Sequence, residues 1–149
     1  MIEAGSPFPE FQLSDQTGEV LSLGDLKGQK AVIYFYPKDD TPGCTTEACE
    51  FRDATPTFGG ARVIGVSPDE TKSHKKFVEK YSLNFTLLSD PDHSLMEALG
   101  IWVEKSMYGK KYMGVERTTY VVDEQGVILK VFRKVKPQGH AAEVLAVLS

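Results

Sequence analysis

The sequence predicts an α/β fold in which a mixed sheet carries helices on both faces. Two short apolar runs, at 31–36 and 61–67, have the length and β-branched content of buried strands. The segment between them, 42–54, has a proline at a favoured early helix position, and Pro56 lies beyond its end. A strand, a helix and a strand in this order imply parallel strands. Predicted hairpins nearer both termini add antiparallel strands, which makes the sheet mixed.

The elements around this unit follow from local patterns. Near the start, two β-rich runs around a turn-rich tetrad predict a separate small hairpin. After the second buried strand, 72–81 is predicted as a polar helix that buries Phe77, Val78 and Tyr81. A further strand is expected at 84–88.

The next stretch contains a short helix and a long irregular segment. Asp92 is the expected N-cap of a helix over 93–99, and Gly100 is its expected stop. The segment 103–114, rich in Lys, Gly, Met and Tyr, is predicted to be the longest irregular piece and a mobile loop.

The C-terminal part predicts a hairpin and a helix. Two β-rich runs, at 117–122 and 127–135, flank a turn-rich tetrad and indicate an antiparallel pair. A last helix is expected to open at Gly139 or His140.

Length and composition limit the possible functions. A chain of 149 residues with 41% hydrophobic and 26% charged residues is predicted to form a single domain over 1–149. A net charge of −4 without a basic run argues against nucleic acid as a partner. We find neither a signal peptide nor an apolar run of roughly 20 residues, so no membrane association is expected. The expected location is cytoplasmic, or organellar if a transit peptide has been removed.

The two cysteines of the chain, Cys44 and Cys49, lie in the predicted helix after the first buried strand. A cysteine attacks as its thiolate, and a free thiol with a pKa near ~8.5 is mostly protonated at neutral pH. Cys44 is expected in the first helical turn, where unpaired N–H groups and the helix dipole stabilise negative charge. Thr41 is expected either to cap this helix or to donate its hydroxyl towards the sulfur or a bound oxygen.

The spacing of the two cysteines carries a conformational requirement. Five residues of helix correspond to about 7.5 Å of rise and about 140° of rotation, which is beyond disulfide range. A bond between Cys44 and Cys49 therefore needs the helix to unwind. The weak helix formers Gly43, Thr45 and Thr46 lower the cost of opening the first turn. This arrangement suits a cysteine that is first oxidised and then resolved by its neighbour.

Other interpretations of the pair remain open. Ala48 and Phe51 share the helix face of Cys44, so the cysteines could be structural and inert. A zinc site has less support than a structural pair, because the three histidines are scattered along the sequence and there is no second cysteine pair. A papain-like nucleophile lacks a signature for its histidine base, and a dithiol oxidoreductase normally uses Cys-x2-Cys.

The spacing of Pro37, Thr41 and Cys44, Pro-x3-Thr-x2-Cys, resembles the peroxidatic signature of the peroxiredoxins. Its extension, Thr-Pro-Gly-Cys-Thr-x-Glu-Ala-Cys, is similar to the peroxiredoxin Q type, also called bacterioferritin comigratory protein. The similarity covers nearly the whole chain and continues through 65–69, 73–77, 88–91 and 117–123.

The resemblance implies a thioredoxin-like fold with an added N-terminal hairpin. It also implies a thiol peroxidase that reduces hydrogen peroxide and organic (alkyl) hydroperoxides in antioxidant defence, without a metal or other cofactor. Thioredoxin is the implied reductant, with a glutaredoxin as the alternative. Since an intrachain pair needs no second subunit, we expect a monomer.

The resemblance also assigns roles residue by residue. Cys44 would be the peroxidatic nucleophile and Cys49 the resolving cysteine, and the two would form a redox disulfide. Thr41 and Arg117 would bind and polarise the peroxide, and a permanent guanidinium charge suits that role. The implied substrate pocket contains Pro37, Pro42 and Gly43. Without the motif, Arg117 would be a surface ion-pair partner, for example of Glu116.

Two rival functions fit the same cysteines: a thiol–disulfide exchange protein, and a redox sensor that passes its oxidation state to a partner. A cluster of aromatic and methionine residues is predicted to be core, with a substrate or docking surface as the alternative. Its members are Trp102, Met107, Tyr108, Tyr112 and Met113.

Overall fold

The computed structural model describes residues 2–148. Within them the strands are β1 (Gln12–Asp15), β2 (Val20–Ser22), β3 (Ala31–Phe35), β4 (Arg62–Ser67), β5 (Thr86–Ser89), β6 (Trp102–Met107), β7 (Lys110–Val115), β8 (Thr118–Val122) and β9 (Ile128–Arg133). The helices are α1 (Leu23–Leu26), α2 (Pro42–Ala54), α3 (Thr71–Tyr81), α4 (Ser94–Leu99) and α5 (His140–Leu148), and a 3-10 turn spans Thr55–Thr57. None of the described helices is long and apolar enough to cross a membrane.

Seven strands form one sheet in the order β2-β1-β5-β4-β3-β8-β9, and β6 and β7 pair separately. The strands β3, β4 and β5 are parallel to one another. β8 and β9 continue the sheet antiparallel on one side, and β1 and β2 do so on the other. The predicted mixed sheet is therefore confirmed. The parallel strands all finish at the same end of the sheet, and α2 begins there.

The buried strand β3 separates two hydrophobic cores. All five of its residues are buried, and their side chains alternate between the two faces of the sheet. Val32 and Tyr34 pack in the core that includes residues of α2, α3 and α5. Ile33 and Phe35 pack in the core that includes residues of α1 and α4. Helices on both faces of the sheet are thus confirmed.

The helix bounds agree closely with the predictions for α2 and α3. The range predicted for α2, 42–54, is the observed range, and α3 begins one residue earlier than predicted. The buried stripe of α3 differs from the prediction: Phe77 and His74 are its buried residues, whereas Val78 and Tyr81 are only half-buried. A histidine was not expected there, because its burial depends on partners from other elements.

The start of α4 also differs from the prediction. His93, in the left-handed region with φ 61°, is the N-cap, and Asp92 lies outside the helix. The physical reason is Asp90, whose carboxylate accepts hydrogen bonds from two backbone N–H groups of the first turn, at 3.1 and 3.4 Å. Gly100 ends the helix as predicted, with φ 74°.

The N-terminal hairpin is present, but the prediction that it is separate is wrong. β1 pairs antiparallel with β5, where Ser14 lies opposite Ser89, and so the hairpin extends the main sheet. The residues before it reach the opposite side of the sheet, because the N–H of Gly5 donates to the carbonyl of Ile128 at 2.8 Å. Local sequence patterns do not report such long-range pairing.

The prediction of an irregular loop at 103–114 is wrong. These residues form the β6–β7 hairpin, in which Met107 pairs with Lys110 across a two-residue turn. The turn residues Tyr108 and Gly109 both have positive φ, 52° and 78°. A tyrosine rarely adopts this conformation, so the turn does not resemble the Asn-Gly and Asp-Gly turns that mark hairpins in a sequence.

The core prediction for the aromatic and methionine cluster is also wrong for most of its members. Met107, Tyr108, Tyr112 and Met113 are exposed on the hairpin. Trp102 is half-buried, and its ring stacks on that of His93 with centroids 3.7 Å apart.

Candidate active site

Cys44 lies in the first turn of α2, which follows the buried strand β3 after a short loop. Thr41 is the N-cap and Pro42 occupies the first helical position, where its missing N–H costs nothing. The cysteine is only 1% exposed. The unpaired N–H groups of the first turn and the positive end of the helix dipole favour negative charge there. The local sequence therefore places a shielded thiol where a thiolate is stabilised.

Arg117 brings a positive charge to this thiol. Its Nη2 donates a hydrogen bond to Sγ of Cys44 at 3.0 Å, and its Nη1 donates to Oε1 of Glu47 at 3.0 Å. Arg117 directly precedes β8, whose first residue, Thr118, pairs with Phe35 at the end of β3. The guanidinium and α2 therefore lie at the same end of the sheet.

Glu47 completes the site and was not predicted from the sequence. It lies one turn after Cys44 on the buried face of α2, and it is 1% exposed. Burial raises its pKa to about 7, although the adjacent Arg117 acts to lower it. The ion pair of Arg117 is thus inside the site and not with Glu116. The three-residue spacing between Cys44 and Glu47 indicates that both lie on the same face of the helix. A glutamate in a helix is usually exposed, however, so this spacing alone did not predict a buried Glu47.

The raised pKa of Glu47 predicts that the reduced protein loses stability as pH rises. Below its ordinary pKa of 4.5 the carboxyl is protonated in both the folded and the unfolded state. Between that pH and about 7 only the folded state holds the proton, so the free energy of unfolding falls by about 3 kcal/mol in total. Glu47→Gln should remove this decline in urea unfolding measured from pH 4 to pH 8. Glu79→Gln, an exposed change on α3, is the matched control. An unchanged pH profile in Glu47→Gln would contradict the prediction.

Thr41 stands at the entrance of α2, but its hydroxyl does not contact the sulfur. Its Oγ1 donates to the backbone carbonyl of Lys38 at 3.0 Å, and it makes no side-chain capping bond. The residue is therefore the N-cap by position only. A bond from Thr41 to a bound oxygen would require this hydroxyl to rotate.

Gly43 is the pocket residue with the clearest steric requirement. A Cβ added there would lie 3.1 Å from Nη2 of Arg117 and 3.5 Å from Cγ of Pro137. A side chain at this position would therefore crowd the guanidinium that contacts Cys44. Pro37 is half-buried in the loop before α2, and Pro42 is exposed.

Cys49 lies on the same unbroken helix as Cys44, and both thiols are free. Cys49 is half-buried, whereas Cys44 is buried. Because about 7.5 Å of rise and about 140° of rotation separate them along an ideal helix, they cannot bond while α2 is intact. The structure therefore represents the reduced, wound state of the pair.

A second cation, Lys105, lies near the thiol. It belongs to β6, and its pKa is lowered by partial burial and by the positive charge of Arg117. The charge of Cys44 acts in the opposite direction. The β6–β7 hairpin thus borders the site, where the alternative to the core prediction had expected a substrate or docking surface.

Comparison with known proteins identifies the family of the chain. Residues 4–131 match the AhpC/TSA family. A putative peroxiredoxin bcp of Coxiella burnetii is 54% identical over 146 residues, which are 97% of each chain. Peroxiredoxin Bcp of Bacillus subtilis is 50% identical over 149 residues, covering 99% of this chain and 95% of the relative.

A solved structure with the same fold comes from work on the alkyl peroxide reduction activity of the bacterioferritin comigratory protein of Xanthomonas campestris. Its TM-score is 0.89 at 42% identity, and the match covers 99% of this chain and 95% of that one. The thioredoxin-like peroxiredoxin fold is thus confirmed. The chain belongs to the AhpC/TSA family and, within it, to the peroxiredoxins of the Bcp type.

Proposed function

We propose that Cys44 is the peroxidatic nucleophile of this thiol peroxidase and that Cys49 resolves the oxidised Cys44 within the same chain. The observation that carries the proposal is the 3.0 Å contact between Nη2 of Arg117 and the buried sulfur of Cys44 at the start of α2. A structural cysteine needs no neighbouring cation. A cation stabilises a reactive thiolate, and it also stabilises the negative charge that moves to the departing oxygen during the reaction.

In the first step the Cys44 thiolate attacks one oxygen of the peroxide. The S–O bond forms, the O–O bond breaks, and the departing oxygen takes a proton and leaves as water or an alcohol. Negative charge moves from sulfur to oxygen during this step. Arg117 stabilises that charge in both positions, because its guanidinium does not deprotonate. We assign to Thr41 a hydrogen bond to the bound peroxide, which it can make once its hydroxyl turns away from Lys38.

Three residues around Cys44 are proposed to shape the peroxide pocket. Pro37 shields the site, and Pro42 starts α2 at a position where its missing N–H leaves no bond unmade. Gly43 leaves room for the guanidinium. Hydrogen peroxide and alkyl hydroperoxides are the proposed substrates.

In the second step the first turns of α2 unwind, and the Cys49 thiol attacks the Cys44 sulfenic acid. The S–S bond forms, the S–O bond breaks, and water leaves. A dithiol reductant then returns both cysteines to thiols and is itself oxidised to a disulfide. We propose a thioredoxin as this reductant, a monomer as the working state and a reducing, cytoplasmic compartment as the location.

Intact mass spectrometry tests the cycle most directly. Reduced protein is mixed with one equivalent of hydrogen peroxide for a few seconds and is then treated with an alkylating reagent. Loss of two hydrogens together with both alkylation sites supports the cycle. Two thiols that remain fully alkylatable would contradict it and favour a thiol–disulfide exchange protein. A disulfide that forms but is not recycled by thioredoxin would favour a redox sensor.

Cys49→Ser should separate the two steps. The variant keeps Cys44 and Arg117, so it should consume one equivalent of peroxide at the wild-type rate. It should then stop as the sulfenic acid, which a dimedone-type reagent detects as a mass adduct on Cys44. Sustained turnover with thioredoxin would show that another thiol resolves Cys44.

A further inference from the structure

A buried polar cluster anchors the loop between β3 and α2. Its centre is Asp39, 7% exposed, which lies in this loop two residues before Thr41. Oδ2 of Asp39 lies 2.7 Å from Nδ1 of His74 and accepts the hydroxyl of Ser73 at 2.8 Å, and both partners belong to α3. Oδ1 of Asp39 accepts the hydroxyl of Tyr36. One side chain thus ties the loop to a helix on the same face of the sheet.

His74 holds its ring in a fixed orientation within this cluster. The residue has no exposed surface, and its Nε2 lies 2.9 Å from the backbone carbonyl of Leu88. A carbonyl oxygen only accepts, so Nε2 carries a hydrogen, and Nδ1 faces a carboxylate, which also accepts. Both ring nitrogens therefore have a fixed partner. The bond between Nδ1 and the buried carboxyl of Asp39 is short and has no exposed competitor, because both residues are shielded from solvent.

The backbone of the loop is held at the same point. The N–H of Asp39 donates to Oδ2 of Asp69 at 2.8 Å, and Asp69 is itself fixed by the hydroxyl of Ser67 at 2.7 Å. The next residue, Asp40, has φ 57°, a conformation that residues other than glycine adopt at a cost. The loop thus contains a residue with positive φ directly after Asp39, and the carboxylate of that residue is also bonded to α3, by Lys80 at 2.7 Å and Tyr81 at 2.8 Å.

The position of this anchor links it to the cysteine cycle. Asp39 lies in the chain that joins β3 to α2, five residues before Cys44, so movement of Cys44 towards Cys49 pulls on the segment that Asp39 anchors. An interaction made only in the wound state disfavours the unwound state by its full free energy. The bond between His74 and Asp39 is placed to act in this way.

We propose that His74 is a positioning residue, which holds Asp39 and with it the loop 37–41 in the form that receives peroxide, and so sets how readily α2 unwinds. The inference rests on the proposed cysteine cycle. It assigns opposite effects to one contact: the contact favours oxidation of Cys44, and it slows closure of the disulfide. A contact that only stabilised the fold would not produce these opposite effects.

His74→Gln tests the proposal, because glutamine cannot serve both the Asp39 carboxylate and the Leu88 carbonyl in the same geometry. Rapid quenching with an alkylating reagent and mass analysis follow the two steps separately. We expect the conversion of sulfenic acid to disulfide to be faster by on the order of tenfold. We also expect oxidation of Cys44 to slow severalfold, and the sulfinic acid formed at high peroxide to decrease.

Two further variants make the result decisive. Ser73→Ala removes one bond to Asp39 and should shift both rates in the same directions by less, so it serves if His74→Gln does not fold. Leu99→Ala, on the opposite face of the sheet, controls for general loss of stability and should leave the disulfide step unchanged. Unchanged or slower disulfide formation in both cluster variants would overturn the inference. A wild-type protein that forms no disulfide would instead overturn the proposed function.

Discussion

Cys44→Ser is expected to abolish peroxide consumption. A serine hydroxyl is a weak nucleophile at neutral pH, and neither the start of α2 nor Arg117 can make it equivalent to a thiolate. The measurement is loss of hydrogen peroxide in the presence of thioredoxin, its reductase and the nicotinamide cofactor of that reductase. The variant should fall to the rate of the reaction without added protein.

Cys49→Ser is the matched control, because it makes the same chemical change five residues along the same helix. It should still consume a single equivalent of peroxide, so a difference between the two variants assigns the first step to Cys44. Circular dichroism should show the same helix content in both. Full turnover by the Cys44→Ser protein would overturn the assignment of the nucleophile.

Arg117→Met should slow the oxidation of Cys44 by about 10²–10³, the usual effect of removing a fixed donor from developing negative charge. Methionine is unbranched and fills much of the same volume, but it provides neither the charge nor the two parallel N–H groups. In the unchanged protein Nη2 of Arg117 contacts Cys44 and Nη1 contacts Glu47, and the variant would lose both contacts. The rate constant for the first oxidation, measured under single-turnover conditions, is the quantity to compare.

The same change should also destabilise the protein, because it leaves the buried carboxyl of Glu47 without its cation. The double variant Arg117→Met, Glu47→Gln removes that carboxyl as well. It should recover stability at pH 8 but not peroxidase activity. Recovery of activity together with stability would show that Arg117 acts only through the fold.

The residues that sequence reasoning placed well are those whose local chemistry decides their structure. Pro42 suits the first position of a helix and Pro56 follows its end, so the bounds of α2 agree with the prediction. The position of Cys44 in the first turn of α2 follows from these bounds. Arg117 was assigned through the family motif, and its contact with the sulfur needs β8 to lie beside β3, which only the tertiary structure shows.

The residues that were missed depend on partners far away in the chain. Glu47 and His74 look like ordinary polar residues of helices, but both are buried beside charged partners, Arg117 and Asp39, that are distant in the sequence. The β6–β7 hairpin was missed for a local reason. Its strands are largely exposed, and the tyrosine in its turn has positive φ. Neither feature produces the alternation or the turn residues from which a hairpin is predicted.

The pairing of residues 5–22 has a consequence for aggregation. An open strand at the margin of a sheet is a template for the strands of other chains, and long apolar margins promote aggregation. β1 covers the outer side of β5, and the new margin, β2, is only three residues long. On the far side, Gly5 and Phe8 donate to carbonyl groups at the beginning of β9 and just before it. One N-terminal segment thus covers the outer side of β5 and the start of β9, so a shorter length of open strand faces other chains.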